Sequence, residues 1–377
     1  VILTVIGYFF VDHAAPRIWS SLMYNNYFFM GIALTAAFFV SAHTVGWGGW
    51  YVLIRRVSEA VMMYLPIAAV IMLVILALGS HSIFHWMHEG ITDPSSPNYD
   101  KIIAGKSWYL NEPFFWLRSL LYLGLWSGLI ILLRRNSLKG DLNPDFSVYE
   151  KGLTISGIFL FVFAISSSTA SWDWFMSITP HWYSTLFGWY GFISLFVSSC
   201  ALLYILMTVL QSYGYLQNVT DEHFHDVGKF MFAFSIAWSY LFFSQFMLIW
   251  YANIPEETLY FQERLDHIPH ILYIMIFLNF VTPFFVLMTA NAKRNRMITC
   301  FVACCIIIGH WLDYFQMSVP GAVLEADIHH VSLSLFDVGL GVFFLGLLLF
   351  STFRALTKAS LVPVNHPYVK ESVIHHA

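Results

Sequence analysis

The sequence predicts an all-α polytopic membrane protein. Of its 377 residues, 58% are hydrophobic and only 11% are charged, and the mean hydropathy is +0.67. Soluble domains carry roughly 25% charged residues. Apolar runs long enough to cross a bilayer core of roughly 30 Å recur along the whole chain. These observations exclude a soluble domain, and the small net charge of -4 without a basic face excludes a nucleic-acid-binding protein.

Ten apolar runs are predicted to be transmembrane helices. The first is a truncated piece at residues 1–11, and because the chain opens at Val1 inside this run, we expect the natural N-terminus to lie upstream. The other nine are each about 20 residues or longer, the length that a helix needs to cross the bilayer core. They lie at 25–54, 60–84, 113–133, 152–175, 184–211, 229–252, 268–290, 297–318 and 331–353.

The cations are divided unequally between the two sides that these ten spans define. Of the 18 Lys and Arg residues, 13 fall on one side and four on the other, while Arg118 lies inside a span. Loops on the cytoplasmic side carry the excess of Lys and Arg in membrane proteins. Both termini are therefore predicted to be cytoplasmic.

One carboxylate, Asp173, lies between two tryptophans in the stretch Ser166–Ser184, where a helix should leave the bilayer. A charged side chain costs about 2.5 to 3.5 kcal/mol at the centre of a span and less near the interface, so an intramembrane carboxylate is a functional candidate. The segment Trp311–Ser318 repeats the pattern, and its Asp313-Tyr314-Phe315 corresponds to Asp173-Trp174-Phe175. The repeated motif indicates that the two halves of the chain are related.

Weaker sequence similarities support the same alignment of the two halves. The sequence Phe39–His43 resembles Phe196–Cys200, and the fourth and eighth helices both open with a proline in the first turn. We therefore predict two four-helix bundles, helices 2–5 and helices 6–9, related by a parallel internal repeat and flanked by helices 1 and 10. The corresponding segments are 1–24 (truncated first helix and outer loop), 25–178 (first bundle), 179–320 (second bundle), 321–358 (tenth helix) and 359–377 (cytoplasmic tail).

His310 and Asp313 are three residues apart and are therefore expected on one face of a helix. Histidine titrates near neutrality and a neighbouring carboxylate tunes it, so the pair is a candidate proton relay. A structural hydrogen bond that orients the helix is the alternative. Because Asp173 has Ala170 where a matching histidine would stand, the two repeats are expected to have different roles.

A run of titratable residues precedes Lys229 on the predicted cytoplasmic side, at residues 221–226. It is interpreted either as a proton-collecting surface or as a solvated helix N-terminus, where the dipole favours acids. Glu59 takes the place of Lys229 in the first repeat, and an ion pair between them is a hypothesis that a structure can test. The candidates for a proton pathway are thus Asp173, His310, Asp313, Glu59, Asp221, His225, Asp226 and Lys229.

No metal or haem ligand set is predicted. The four cysteines lie in apolar runs at spacings that match no zinc or iron-sulfur site. Only His43 and His310 are expected to be well buried among the histidines, which does not provide the matched pairs that a bis-histidine haem needs. We predict no catalytic residue and no cofactor bound covalently or by ligation in this chain.

Three stretches carry a resemblance that covers nearly the whole chain. They are SWDWFMSITPHWYSTLFGWYGF at 171–192, NVTDEHFHDVGKFMFAFS at 218–235 and FSQFMLIWYANIPEET at 243–258. The chain resembles the NrfD/polysulfide-reductase-like family of membrane subunits, most closely the second large membrane subunit (ActF type) of alternative complex III. The resemblance implies a quinol:cytochrome c oxidoreductase, or one with another electron acceptor, in the bacterial inner membrane.

The resemblance also implies partners: a homologous sister membrane subunit, an iron-sulfur subunit, multi-haem and mono-haem cytochrome c subunits, and lipid. Haem and iron-sulfur clusters would lie in those partners, and this chain would contribute a proton pathway and assembly without a redox centre. Two alternatives stay open. One is a subunit with its own quinol site, with menaquinone or another quinone as cofactor and His43, Asp173 and His310 as binding candidates. The other is a stand-alone secondary transporter, which also uses parallel repeats and intramembrane charges.

Overall fold

The structure, a computed structural model, describes residues 15–326 and 331–376, and all the regular secondary structure in these ranges is helical. Nine of the described helices are long and apolar enough to span a membrane. The nine spanning helices are α1 Ala15–Val45, α2 Val52–Ile83, α3 Glu112–Leu142, α4 Phe146–Trp174, α5 Phe187–Ser212, α6 Asp221–Ala252, α8 Pro269–Val286, α9 Arg296–Leu324 and α10 Leu335–Leu356. Between α6 and α8 lies a shorter helix that does not span the membrane, α7 Pro255–His267.

The all-α multi-pass class is confirmed, because each of the nine runs predicted between residues 25 and 353 overlaps one of these spanning helices. The run predicted at 1–11 lies outside the described residues. One predicted boundary is wrong by about two turns: the run 25–54 ends as a helix at Val45, since the glycine-rich turn after it places Trp47 at a φ of 54°. The end of the helix was not predicted because the turn residues include apolar aromatic side chains, which continue the hydrophobic run.

Another predicted boundary misses two helical turns at the start of α6. This helix begins at Asp221, where the run was predicted to begin at residue 229. Thr220 and His223 form a capping box that satisfies the first backbone donors, so the charged residues continue the helix beyond the apolar core. The short helix α7 was not predicted. It carries both apolar and charged residues and buries Tyr260, Phe261 and Arg264.

The helices α1 and α5 lie at the centre of the molecule. α1 contacts α2, α4, α5, α9 and α10, and most of its side chains are buried. Its Gly31 faces Leu195 of α5, and a Cβ atom at Gly31 would fall 2.4 Å from Cδ1 of that leucine. The missing side chain thus permits the close approach of the two central helices, as small residues do between membrane helices.

The helix neighbours repeat in the two halves. The contacts α1–α2, α3–α4 and α1–α4 in the first half have counterparts α5–α6, α8–α9 and α5–α9 in the second. The contacts between the halves are also reciprocal, since α1 lies against α9 and α5 lies against α4. Each central helix therefore touches the last helix of the other half.

The two ends of the helix bundle carry different groups. At one end, which we call the basic end, Arg55 and Arg134 bind Glu59, and the C-terminal residues contact both α2 and α6. At the opposite end, Lys106 donates to the carbonyl oxygen of Pro180 at 2.6 Å, and the connection between α2 and α3 covers the ends of the helices.

Candidate functional site

Asp173 lies at the last turn of α4 and is fully buried. Arg118 of α3 binds it in a bidentate manner, with Nε at 2.7 Å from one carboxylate oxygen and Nη2 at 2.9 Å from the other. Tyr122, one turn further along α3, donates a third hydrogen bond at 3.1 Å. Because the guanidinium donates to both carboxylate oxygens, its positive charge directly compensates the negative charge of Asp173.

Asp313, in the corresponding motif, lies inside α9 about three turns before the helix ends; it is also fully buried, but its surroundings are different. Four neutral groups donate to its carboxylate: the hydroxyl of Tyr190, Ser194 Oγ at 3.1 Å, Trp238 Nε1 at 2.9 Å and Gln316 Nε2 at 3.1 Å. In the described residues, no Lys or Arg side chain contacts Asp313 directly. Its charge is held by dipoles contributed from α5, α6 and α9 itself.

His310 lies one turn before Asp313 on the same face, as predicted, but it does not bond the carboxylate directly. Its Nδ1 is 3.6 Å from Asp313 Oδ2, which is too long for a hydrogen bond, and 2.9 Å from Ser194 Oγ. Since the Ser194 hydroxyl donates to Asp313, it accepts from Nδ1–H of His310. Nδ1 therefore carries a hydrogen, and Nε2 is buried without a hydrogen-bond partner among the described residues.

Aromatic rings separate the two aspartates. Tyr27 of α1 packs between the two motifs, with ring centroids 5.6 Å from Trp174, 4.7 Å from Phe175 and 5.6 Å from Tyr314. Phe175 and Tyr314 also touch, at 5.2 Å. The duplicated Asp-aromatic-Phe motifs therefore meet through their aromatic residues, while the carboxylates face different helices.

The other buried carboxylates also have direct cationic partners. Glu59 at the basic end accepts from Arg55 at 2.7 Å, Arg56 at 3.1 Å and Arg134 at 2.7 Å. Asp337 of α10 is paired with Arg17. In the part of the chain that the structure describes, Asp313 is thus the buried carboxylate that lacks a Lys or Arg partner in direct contact.

The hypothesis of a Glu59–Lys229 pair is wrong. Glu59 is enclosed by arginines and by Ser137, whose hydroxyl donates at 2.6 Å. Lys229 instead pairs with Asp226, one turn away on α6, at 2.5 Å. The alignment of the two repeats places the two residues at equivalent positions, but side chains at equivalent positions of two bundles need not be in contact.

The remaining candidates at the basic end lie on the first turns of α6. Asp221 pairs with Arg296 at 2.6 Å, and Nδ1 of His225 lies 3.8 Å from Glu222, which in turn pairs with Arg294. Asp226 accepts a second bond, from His375, at 2.8 Å. The Lys229 side chain is 50% exposed and, with Trp50, Asp226, Phe230, Ala233 and Phe234, lines a cavity of about 330 Å³.

The three quinone-binding candidates do not share one site. His43 lies near the basic end, where its Nδ1 is 2.8 Å from the carbonyl oxygen of Phe39 and its ring packs against Trp50 and Phe230. Asp173 and His310 belong to the two separate networks described above. A large apolar groove lies elsewhere, between α6, α7 and α8; it measures about 730 Å³, and Trp238 forms part of its wall.

The C-terminal residues pack over the basic end. Ser372 donates to the carbonyl oxygen of Trp50 at 2.6 Å and accepts from the backbone of Leu53 at 3.2 Å. Nε2 of His366 lies 3.0 Å from Nη1 of Arg55, so the imidazole accepts from the guanidinium. Burial, and then the charge of Arg55, lowers the pKa of His366 to about 3.

The docking of this C-terminal segment is expected to weaken as the pH falls. A free histidine has a pKa of about 6.5, whereas docked His366 stays neutral down to about pH 3. Below about pH 6.5, the undocked segment binds a proton that the docked segment does not, so docking is fully stable above that pH and is progressively lost below it. Hydrogen exchange of residues 359–376, corrected for its intrinsic pH dependence, should increase between pH 7 and pH 5. His366→Gln should reduce that increase, and an identical increase in the variant would contradict this assignment.

Several residues around Asp313 were not predicted from the sequence. Tyr190, Ser194 and Ser198 are spaced by four residues, a polar stripe on one face of α5 that could have been noticed. Gln316 is three residues after Asp313, on the same face. Trp238 and Arg264 gave no signal, because interface aromatics and loop cations are common in membrane proteins.

Within residues 15–326 and 331–376, no three His, Cys, Asp or Glu side chains are grouped as metal ligands. The expectation that this chain ligates no metal or haem stays a prediction. Compared with models of known protein families and with curated protein sequences, the chain matches none.

Proposed function

We propose that this chain is a membrane subunit of a quinol:cytochrome c oxidoreductase of the alternative complex III type, and that it handles protons and supports assembly. The observation that supports this proposal most strongly is that the buried carboxylates differ in their direct partners. Asp173, Glu59 and Asp337 each have an arginine in direct contact, whereas Asp313 is held by neutral donors beside His310. The motif stretches at 171–192, 218–235 and 243–258 support the same proposal.

The physical reason is the charge that would remain at each site after its carboxylate had bound a proton. Protonating Asp173 would leave Arg118 as a buried cation without its counter-ion, which costs several kcal/mol. Protonating Asp313 leaves Tyr190, Ser194 and Trp238, which are neutral and can rearrange their hydrogen bonds. Asp313 is therefore the carboxylate that can bind and release a proton at moderate cost, and Asp173 and Glu59 serve structural roles.

Protons enter, in this proposal, at the basic end, which is the cytoplasmic side. The cavity beside Lys229 and Asp226 opens there, and Trp238 lies nine residues further along α6, about 14 Å away. Ser235 Oγ lies between them on α6, and it is buried without a partner among the described residues, as are both amide atoms of Asn279 on α8 and His310 Nε2 on α9. Buried polar groups of this kind are usually satisfied by water, and a chain of waters would connect the cavity to Asp313.

The scaffold for this route is a pair of four-helix bundles, at 25–178 and 179–320, related by a parallel repeat. The reciprocal neighbours of α1 and α5 support this arrangement. Divergence after duplication explains why one carboxylate is locked by an arginine and its counterpart is not. A sister membrane subunit, an iron-sulfur subunit and cytochrome c subunits complete the complex and carry its redox centres.

A second candidate function is a quinol site in this chain. The observation in its favour is the groove between α6 and α8, which is lined by aromatic and aliphatic side chains and borders Trp238, a donor to Asp313. An isoprenoid quinone is an apolar ligand of suitable size, and such sites combine apolar walls with few polar groups. In this reading the quinol would deliver its protons directly beside the Asp313 network.

Native extraction distinguishes these functions. We expect the affinity-tagged chain, solubilised in mild detergent, to bring down proteins that stain for covalent haem and give a cytochrome c spectrum. A parallel extraction from untagged cells is the control. Quinone that stays with the chain after the haem proteins are removed would favour the second function. A chain that purifies alone and transports a solute in vesicles would contradict both.

A further inference from the structure

Arg264 is an unusual residue for its position. It lies on α7, outside the spanning helices, yet its side chain is fully buried. The guanidinium lies over the ring of Tyr260 at 3.3 Å from the centroid, and that ring stacks on Trp182 at 3.9 Å and 11°. A buried arginine normally has a carboxylate in bidentate contact. Among the described residues, the carboxylate nearest to this guanidinium belongs to Glu263, at 3.9 Å.

The guanidinium is instead joined to Asp313 through one amide side chain. Nε of Arg264 donates to the backbone oxygen of Gln316 at 3.0 Å and to its Oε1 at 3.1 Å. The Nε2 group of the same glutamine donates to Asp313 at 3.1 Å. Gln316 thus orients its amide dipole between a buried cation and a buried anion, and it keeps them from direct contact.

One amino group of this guanidinium has no hydrogen-bond partner among the described residues. Nη1 donates to the carbonyl oxygen of Tyr260 at 2.8 Å, but Nη2 is buried and makes no hydrogen bond within the described residues. Arginine stays protonated in proteins, so it cannot relay a proton, but its charge favours the ionised form of a nearby carboxylate. In the first half of the molecule Arg118 does this by direct contact, which locks Asp173.

The opposite end of the bundle offers a proton acceptor beside Arg264, the carboxylate of Glu263 at 3.9 Å. Burial raises the pKa of Glu263, and burial together with the charge of Glu263 raises the pKa of Glu325. These carboxyl groups lie outside the spanning helices. A proton that leaves the O–H bond of Asp313 toward this end can therefore form a new O–H bond on a carboxylate there.

We propose that Arg264, acting through the side chain of Gln316, is a positioning residue that sets the proton affinity of Asp313 and controls its exchange with the opposite end of the bundle. The glutamine weakens the effect of the cation enough for Asp313 to be reprotonated. It also transmits enough of that effect for the proton to be released. This inference rests on the proposed proton-handling function and adds the residues that regulate it.

Infrared difference spectroscopy on the full chain in lipid nanodiscs tests the inference over a pH series. The carboxylic C=O band that disappears in Asp313→Asn identifies the residue. We expect Arg264→Gln to raise the pH at which this band is half-populated by about one unit, a tenfold change in proton affinity, because the carboxylate loses a nearby cation. Gln316→Leu should also raise it, and Arg264→Lys, which keeps the charge, should shift it less than Arg264→Gln.

Arg135→Gln is the matched control, because it removes an exposed cation that makes no ion pair in the described part of the chain. Its midpoint should equal that of the wild type. A merely structural role for Arg264 would lower stability and leave the midpoint of folded Arg264→Gln and Gln316→Leu unchanged, which would overturn the inference. A wild-type complex that oxidises quinol without releasing protons through this chain would overturn the proposed function, while the infrared midpoints would still report on Arg264.

Discussion

Replacing Asp313 by Asn is expected to reduce quinol-driven proton release through this chain by about a hundredfold, while the complex still assembles. A positioned proton donor or acceptor typically contributes a factor of this order. The amide is nearly isosteric and can still accept from Tyr190 or Gln316, so the helix packing should survive. The measurement is the pH change that follows a quinol pulse in vesicles containing the purified complex, with the rate of quinol oxidation recorded in parallel.

Asp145→Asn is a suitable control for this experiment. Asp145 caps the start of α4 with an exposed carboxylate, and Asn is an equally good N-cap, so the variant removes one negative charge without altering the fold. Its proton release should match that of the wild type. Equal proton yield per quinol in Asp313→Asn and in the control would show that Asp313 lies outside the route.

Replacing Asp173 by Asn is expected to have the largest effect on stability. The Arg118 guanidinium would remain buried without its counter-ion, and breaking a buried ion pair in this way costs about 3 to 5 kcal/mol in the free energy of unfolding. Asp313→Asn should cost clearly less, because the donors around Asp313 are neutral. Unfolding of the full chain in mixed micelles, followed by tryptophan fluorescence, compares the two variants directly.

The double variant Asp173→Asn with Arg118→Met tests the reason for this effect. Removing both charges should recover a large part of the lost stability, since an apolar side chain of similar length leaves no uncompensated charge. The stability changes of the two single variants should therefore exceed that of the double variant when added. Additive changes, or a single Asp173→Asn variant within about 0.5 kcal/mol of the wild type, would contradict the assignment of Asp173 as a locked ion pair.

Local features of the sequence predicted the spanning helices well. Hydropathy over about 20 residues is a property of one segment and its solvent, so nine runs were located before any neighbour was known. The same holds for the shared face of His310 and Asp313, which follows from helical periodicity. Errors occurred where a turn or a cap decided the boundary, as at Trp47 and Thr220.

The partners of the buried charges could not be predicted in this way. Arg118 and Asp173 are 55 residues apart, and the donors to Asp313 come from three helices. The prediction of a Glu59–Lys229 pair was wrong because it relied on the alignment of the two repeats. Such an alignment identifies equivalent positions but does not show that the residues at those positions are in contact. A pairing of this kind depends on which helix faces which and on its rotation about its own axis.

The sequence by itself determined that this protein crosses the membrane many times and keeps an Asp-aromatic-Phe motif in each half, because lipid solvation and helical period act on short stretches of chain. Only the tertiary structure decided that one aspartate is neutralised by Arg118 and the other is held by neutral donors, with Arg264 one glutamine away. The physical reason is that the charge state of a buried carboxylate depends on groups within a few ångströms, and helix packing brings those groups from distant parts of the chain.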